Sequence, residues 1–218
     1  MYSYDPLDEN HGLRYDPIKA LVMPRPIGWV STMCSTGKFN LAPYSFFNLV
    51  NTSPYQVMMA SAGEKDSLKN IEDTGEMVFN GVSLPQLVAM NTTSSLTTEN
   101  EFELAKLSTL PAVQVKPPRV ANAPWHLECR LDQIIELRSP PQKRHAMVIA
   151  TIVQVHIVKD ALRDGKVDQV QLQTVARCGY RDYTVIDSLF ELERPLTYFP
   201  PPLPATISLE RSVAGHRH

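Results

Sequence analysis

From Ile27 onward the chain is mostly short runs of apolar and alternating side chains separated by turn signals. Arg25 to Thr32 alternates in this way, turns at Gly37 and returns through Asn40 to Asn48. Ser45–Val50, Tyr55–Ser61 and Met77–Val82 are brief apolar stretches rich in aromatic and β-branched residues, which predicts strands. Leu127, Cys129, Leu131, Ile135 and Leu137 interleave with Glu128, Arg130, Asp132, Glu136 and Arg138. That pattern predicts a half-buried strand with one wet face. Ala146–Val158 is apolar on both faces and predicts a central strand covered on two sides. Roughly six or seven strands without regular helical crossovers point to a closed or sandwiched antiparallel sheet.

Three short helices interrupt the strands. Ser67–Thr74 carries Leu68 and Ile71 on one face and stops at Gly75. Ser83 and Gln86 have capping-box spacing for a helix running towards Thr92, and Thr98 and Glu101 repeat it before Phe102–Leu107. Residues 1–17 read as an N-terminal arm with prolines and little periodicity, residues 18–194 as the folded domain, and residues 195–218 as a proline-rich tail.

Charge narrows the function. Twenty-one basic against 23 acidic residues give a net charge of −2 with no long block of either sign, which argues against a nucleic-acid binder. Cys34, Cys129 and Cys178 show neither CxxC nor Cys/His spacing, so they read as free thiols in a reducing compartment, with no metal site. The N-terminus carries acids and prolines where a signal peptide needs an apolar core, and no run reaches the ~20 residues of a membrane span. A soluble, cytoplasmic protein is expected.

Two segments carry candidate chemistry. Asn40-Leu41-Ala42-Pro43-Tyr44-Ser45-Phe46-Phe47-Asn48 mixes small, amide and aromatic residues, which suits a flat ligand lying close to backbone. In Ser61-Ala62-Gly63-Glu64-Lys65-Asp66-Ser67, a lysine and a hydroxyl stand at a helix N-terminus, which suits a phosphate. Capping of the helix by Asp66 or Ser67 is the alternative. No nucleophile elbow, P-loop, HExxH or GxGxxG after a strand is present, so no catalytic side chain is assigned. His126, His145 and His156 fall in or beside strands, where a hydrogen-bonded sheet role competes with acid–base chemistry. His145 begins the most buried strand, beside Arg144, where a loop could pass over a ligand.

In this order the segments resemble the flavin reductase-like, FMN-binding split-barrel family, in its flavoredoxin-like and two-component monooxygenase reductase branch. The residues carrying the resemblance are Arg25-Pro26-Ile27, Ser31-Thr32, Gly37, Asn40-Leu41-Ala42-Pro43 and Ser45-Phe46-Phe47-Asn48. Lys65-Asp66-Ser67, Asn70-Ile71, Gly75-Glu76, Val78-Phe79-Asn80, Leu127-Glu128-Cys129, His145, Val155-His156, Arg177, Gly179-Tyr180 and Asp182-Tyr183 continue it to about residue 194. Cys34 and Ala150-Thr151 depart from the family pattern.

The resemblance implies a mainly β fold, a split β-barrel of six antiparallel strands in Greek-key order with a few short peripheral helices. It also implies a homodimer and FMN held near the subunit interface. Carried across, Ser31 and Thr32 meet the ribityl–phosphate end, and Asn40, Ala42, Ser45 and Phe46 line the flavin ring. Asn48 braces that loop, Lys65 and Ser67 grip the phosphate, and Ser61 is a further contact. His145 lies towards the nicotinamide or substrate, and Arg177 and Tyr183 reach the site, with the partner subunit as one source implied by the resemblance. The implied activity is hydride transfer from NADH or NADPH to flavin, with free flavin or a monooxygenase partner as acceptor. An FMN-binding electron carrier without a nicotinamide site is the alternative, and a barrel-shaped interaction module without cofactor is a third reading.

Overall fold

The computed structural model describes residues 1–7, 11–95 and 99–194. In chain order, helix α1 (Ile18–Leu21) leads to strands β1 (Arg25–Pro26), β2 (Gly28–Met33), β3 (Phe39–Tyr44), β4 (Phe47–Thr52) and β5 (Tyr55–Ala62). Helix α2 (Asp66–Thr74) and β6 (Glu76–Asn80) follow, then α3 (Leu87–Thr92) and α4 (Glu101–Leu104). The short strands β7 (Thr109–Leu110) and β8 (Arg119–Val120) precede the long hairpin of β9 (Trp125–Leu137) and β10 (His145–Ile157). The chain continues through β11 (Leu162–Arg163), β12 (Lys166–Val167), β13 (Val175–Arg177) and β14 (Tyr183–Val185).

Seven strands form one antiparallel sheet in the order β3-β2-β6-β9-β10-β5-β4. Its two edges, β3 and β4, are consecutive in sequence and separated only by Ser45 and Phe46. At this corner the Ala60 N–H donates to the Phe46 carbonyl at 2.8 Å, and Phe47 pairs with Met59. The edges therefore meet at one bent strand, and counting β3 and β4 as its halves leaves six staves. This is the expected split barrel.

Alternation decides what fills it. On β2, Val30 faces the barrel core with Tyr44, Phe47, Val57, Met59, Met77, Phe79, Ala146 and Val148. Its neighbour Trp29 faces a second core with Leu41, Met90, Phe102 and Val175. Both faces of β2 are covered, so nearly every residue of it is buried. Leu68 and Ile71 of α2, fully buried, join the barrel core and close one end. Gly75 ends α2 in the left-handed conformation (φ 70°), where its N–H caps the Ile71 carbonyl and a side chain would be strained.

The capping box at Ser83 and Gln86 is present, heading a 3₁₀ turn that runs into α3. The helix starting at Glu101 is capped by Asn100, whose side chain accepts from the Phe102 N–H; Thr98, the expected cap, lies outside the described residues, as does the 195–218 tail. Helix α1 falls in a stretch whose sequence carries no helical period.

Two strand expectations need correction. The polar face of β9 is not uniformly wet. Arg130, Asp132 and Glu136 are exposed, but Glu128 is fully buried. Its carboxylate accepts the N–H groups of Val113 (2.9 Å) and Gln114 (2.6 Å), and His156 Nε2 lies 2.7 Å away. Hydrogen bonds take the place of water there. Nor is β10 covered on both sides throughout. Ala146, Val148 and Ala150 are buried inward, whereas Met147 and Ile149 on the outer face are half-buried and Val155 is 50% exposed.

Candidate functional site

The corner between β3 and β4 opens onto a cleft of about 350 Å³. Pro43, Tyr44, Phe46, Tyr180 and Tyr183 contribute flat rings to its walls. Among the described residues, Lys19, Arg25, Lys65 and Arg177 contribute four cations to it and no carboxylate lines it. A cleft with one sign of charge and low-dielectric walls concentrates the opposite charge.

Three of the cations make contacts that fix them. Arg25 and Arg177 are cross-strand partners of β1 and β13. Two like charges placed opposite one another repel, and here both are anchored by oxygens. The Arg25 guanidinium donates to the carbonyls of Lys19 (2.6 Å), Val22 (2.7 Å) and Cys178 (2.9 Å), binding α1 to β13 across β1. Arg177 donates to the Tyr183 hydroxyl and to the Tyr180 carbonyl (2.7 Å), and its guanidinium lies 4.4 Å from the Tyr183 ring centroid. The Lys65 ammonium lies 5.4 Å from the Tyr44 ring centroid, and among the described residues it has no carboxylate partner.

Helix α2 points its first turn at the same end of the barrel. Lys65 occupies the N-cap position and no side chain caps the helix, so the alternative of a cap by Asp66 or Ser67 is not what forms. Asp66 lines a separate groove beside Cys34 and Lys69. Ser67 is buried, and its Oγ accepts from the Asn40 side-chain amide at 2.9 Å. Asn70 donates to Thr32 Oγ1 at 3.0 Å, and Asn40 reaches the same oxygen at 3.4 Å. Thr32, Asn40, Ser67 and Asn70 thus lock α2 onto the β2–β3 hairpin with N–H groups left at its tip.

The structure gathers the sequence-derived residues unevenly. Ser45, Phe46, Lys65 and Arg177 line the cleft. Ser61 ends the buried face of β5 and donates to the Gly63 carbonyl at 3.0 Å. Thr32, Asn40 and Ser67 form the polar layer beneath, and Ala42 packs against the barrel core. Ser31 lies on the opposite face of β2, where its hydroxyl donates to the Pro118 carbonyl. Asn48 is exposed on β4 and accepts the N–H of Leu49 at 2.9 Å. His145 pairs with Ala62 at the head of β10 and lines a neighbouring hollow with Gly63 and Arg144; Ala62 belongs to both hollows.

Tyr44 was not among the sequence candidates. It is 5% exposed, its ring packs in the barrel core, and its hydroxyl lies among the Ser61 and Ser67 hydroxyls with no aligned hydrogen-bond partner. Burial raises its pKa above the ordinary 10, so the phenol stays a donor. Lys19, Tyr180 and Cys178 were missed as well, because they reach the cleft from segments distant in sequence.

The donors at the barrel end, the free cation and the flat walls fit a planar aromatic ligand that carries an anion. The family model described as flavin reductase like domain matches residues 20–178. This chain belongs to the flavin reductase-like family. Relatives in the family include an uncharacterized protein of Halalkalibacterium halodurans, 30% identical over 183 residues, spanning 80% of this chain and 87% of that one. Another, from Deinococcus radiodurans, is 36% identical over 200 residues, spanning 85% and 86%. Among solved structures, nitrilotriacetate monooxygenase component B from Bacillus cereus is 27% identical with a TM-score of 0.82, covering 88% of this chain and 98% of its own. The 2-nitrobenzoate 2-nitroreductase of Pseudomonas fluorescens is 29% identical with a TM-score of 0.76, covering 85% and 91%. The flavoredoxin of Desulfovibrio vulgaris, at 18% identity and a TM-score of 0.70, shares the fold. Among the described residues no helix is long and apolar enough to cross a membrane.

Proposed function

We propose that this flavin reductase-like chain binds FMN in the cleft at the β3–β4 corner and passes hydride from NADH or NADPH to flavin. The observation that carries the reading is the cleft itself: four cations, no carboxylate, and aromatic walls beside an uncapped helix N-terminus. Ser45 and Phe46 would lie along the ring, and Lys65 with the α2 tip would hold the phosphate. Arg25 and Arg177 supply positive charge towards the ring end, where negative charge develops on reduction. The bound flavin supplies hydride acceptance, and the protein supplies orientation and electrostatics. No side-chain acid or base is needed, which agrees with a cleft lined by cations and aromatic rings. His145, one hollow away across Ala62, would meet the nicotinamide donor.

A homodimer belongs to the same proposal. Outward-facing Met58, Ala60, Met147, Ile149 and Ile135 lie side by side across β5, β10 and β9 by register. A contiguous apolar face of this kind is what a second subunit covers. Ala60 also lines the cleft, so the partner would complete its rim. The acceptor would be free flavin or a monooxygenase partner. Titration of the purified protein with FMN, followed by quenching of flavin fluorescence, tests the cofactor assignment; saturable binding at one FMN per chain is expected.

A further inference from the structure

A buried hydroxyl without a partner is costly, and native structures rarely keep one without a use for it. Tyr44 keeps one. Its nearest neighbours are directed elsewhere in this structure: Ser61 Oγ donates to the Gly63 carbonyl, Ser67 Oγ receives the Asn40 amide, and neither is aligned with the phenol. Tyr44 lines the cleft together with Lys65, and the uncapped tip of the nine-residue helix α2 adjoins both. Three kinds of donor thus converge at one end of the cleft: a phenol, an ammonium and helix N–H groups. The hydroxyl is protonated at neutral pH, so it can only strengthen binding of an acceptor.

We infer that the Tyr44 hydroxyl is a phosphate-reading donor, which makes the cleft selective for a phosphorylated flavin over its unphosphorylated form. The inference rests on the proposed function for the identity of the ring and on the unpartnered hydroxyl for the anion. A ribityl hydroxyl in place of the phosphate carries no charge to repay desolvation of Lys65, whereas a dianion engages phenol, ammonium and helix tip together.

Tyr44→Phe removes the hydroxyl and leaves the ring in the core, so the variant retains the packing of the barrel. Kd values for FMN and riboflavin are measured on the ligand-free wild type and variant, with thermal unfolding recorded alone and with inorganic phosphate. A hydrogen bond to a charged group corresponds to about tenfold or more in affinity. The expected result is therefore an FMN Kd raised about tenfold or more and a riboflavin Kd unchanged. Without ligand, the variant should melt at the same temperature as wild type or higher, since it no longer buries an unmet donor, and phosphate should stabilise it less than wild type. An unchanged FMN Kd, an equal loss for riboflavin, or a ligand-free variant that melts lower than wild type would overturn the inference. Wild-type protein that binds neither flavin, yet is stabilised by phosphate in a Tyr44-dependent way, would remove the flavin reading and leave the phosphate reader standing.

Discussion

The Asn40 side-chain amide donates to Ser67 Oγ at 2.9 Å, joining the turn end of the β2–β3 hairpin to the first turn of α2. Both residues are buried, so the bond is sheltered from water and fixes where the helix tip stands relative to the cleft. Asn40→Ala leaves Ser67 without its donor and should cost about 1–3 kcal/mol, lowering the melting temperature by roughly 2–4 °C per kcal/mol. FMN affinity should fall with it, because the anion-binding tip loses its anchor. Asn48→Ala is the control. That side chain is exposed and bonds only to the next residue's N–H, so a change within about 0.5 kcal/mol is expected by chemical denaturation.

Lys65→Ala combined with Ser67→Ala should weaken FMN binding by at least tenfold, with the loss shrinking as salt rises, since an ammonium–phosphate contact is partly screened. Fluorescence titration at low and high ionic strength reads both effects. An unchanged affinity would exclude the α2 tip as the phosphate site.

Gly28 sits under the stacked rings of Phe47 and Phe79, whose centroids are 4.8 Å apart. A Cβ at this position would lie 2.8 Å from the Phe47 ring and 2.9 Å from Phe79. Both rings are buried, so Gly28→Ala forces the β2 end of the barrel to shift, at about 1–3 kcal/mol. Urea unfolding measures it, and a midpoint equal to wild type would show that the rings yield freely.

Acid should loosen the segment that crosses β9. Burial would raise the pKa of Glu128, but the N–H groups of Gln114 and Val113 and the His156 ring outweigh it and hold the carboxyl below its ordinary 4.5. A lowered folded-state value means that this stabilisation is complete above pH 4.5 and is lost as pH falls through the folded value. His126 is lowered from 6.5, chiefly by burial, and so favours the folded state above pH 6.5 and opposes it as it becomes charged below. The two act in the same direction. Thermal unfolding should show stability falling from pH 6.5 towards pH 4, and Glu128→Gln should flatten the part of that fall below 4.5.

The outer apolar face gives the test of assembly. Ile149→Asp places a charge in the middle of β10's outward row and should convert a dimer to monomers in light scattering without unfolding the barrel. A wild-type protein that is already monomeric would contradict the dimer proposal.

Much of the barrel was legible because its strands obey the period of two, and β2, β5 and the inner row of β10 carry apolar side chains where the fold buries them. The capping box at Ser83 and Gln86 is equally local and equally readable. Glu128 was not, because a carboxylate alternating with leucines looks solvated until Val113 and Gln114 arrive from another segment. The outer row of β10 misled in the opposite sense, since a strand apolar on both faces looks the same whether a layer of its own chain covers it or not. The site divides along the same line. Ser45, Phe46 and Lys65 lie in contiguous motifs, whereas Lys19, Tyr180 and the pairing of Arg25 with Arg177 depend on β1 meeting β13, some 150 residues apart. Tyr44 stood inside the motif and was read past, because its ring packs as core and only the three-dimensional position of its hydroxyl marks it.

Anaerobic stopped-flow absorbance on the FMN-loaded protein follows hydride transfer to the flavin itself. Mixing with NADH or NADPH should bleach the visible absorbance of the oxidised flavin, and His145→Ala should raise the donor concentration needed while leaving FMN affinity unchanged. A flavin band that persists with both donors would contradict the account and leave an FMN-binding protein that receives its electrons elsewhere.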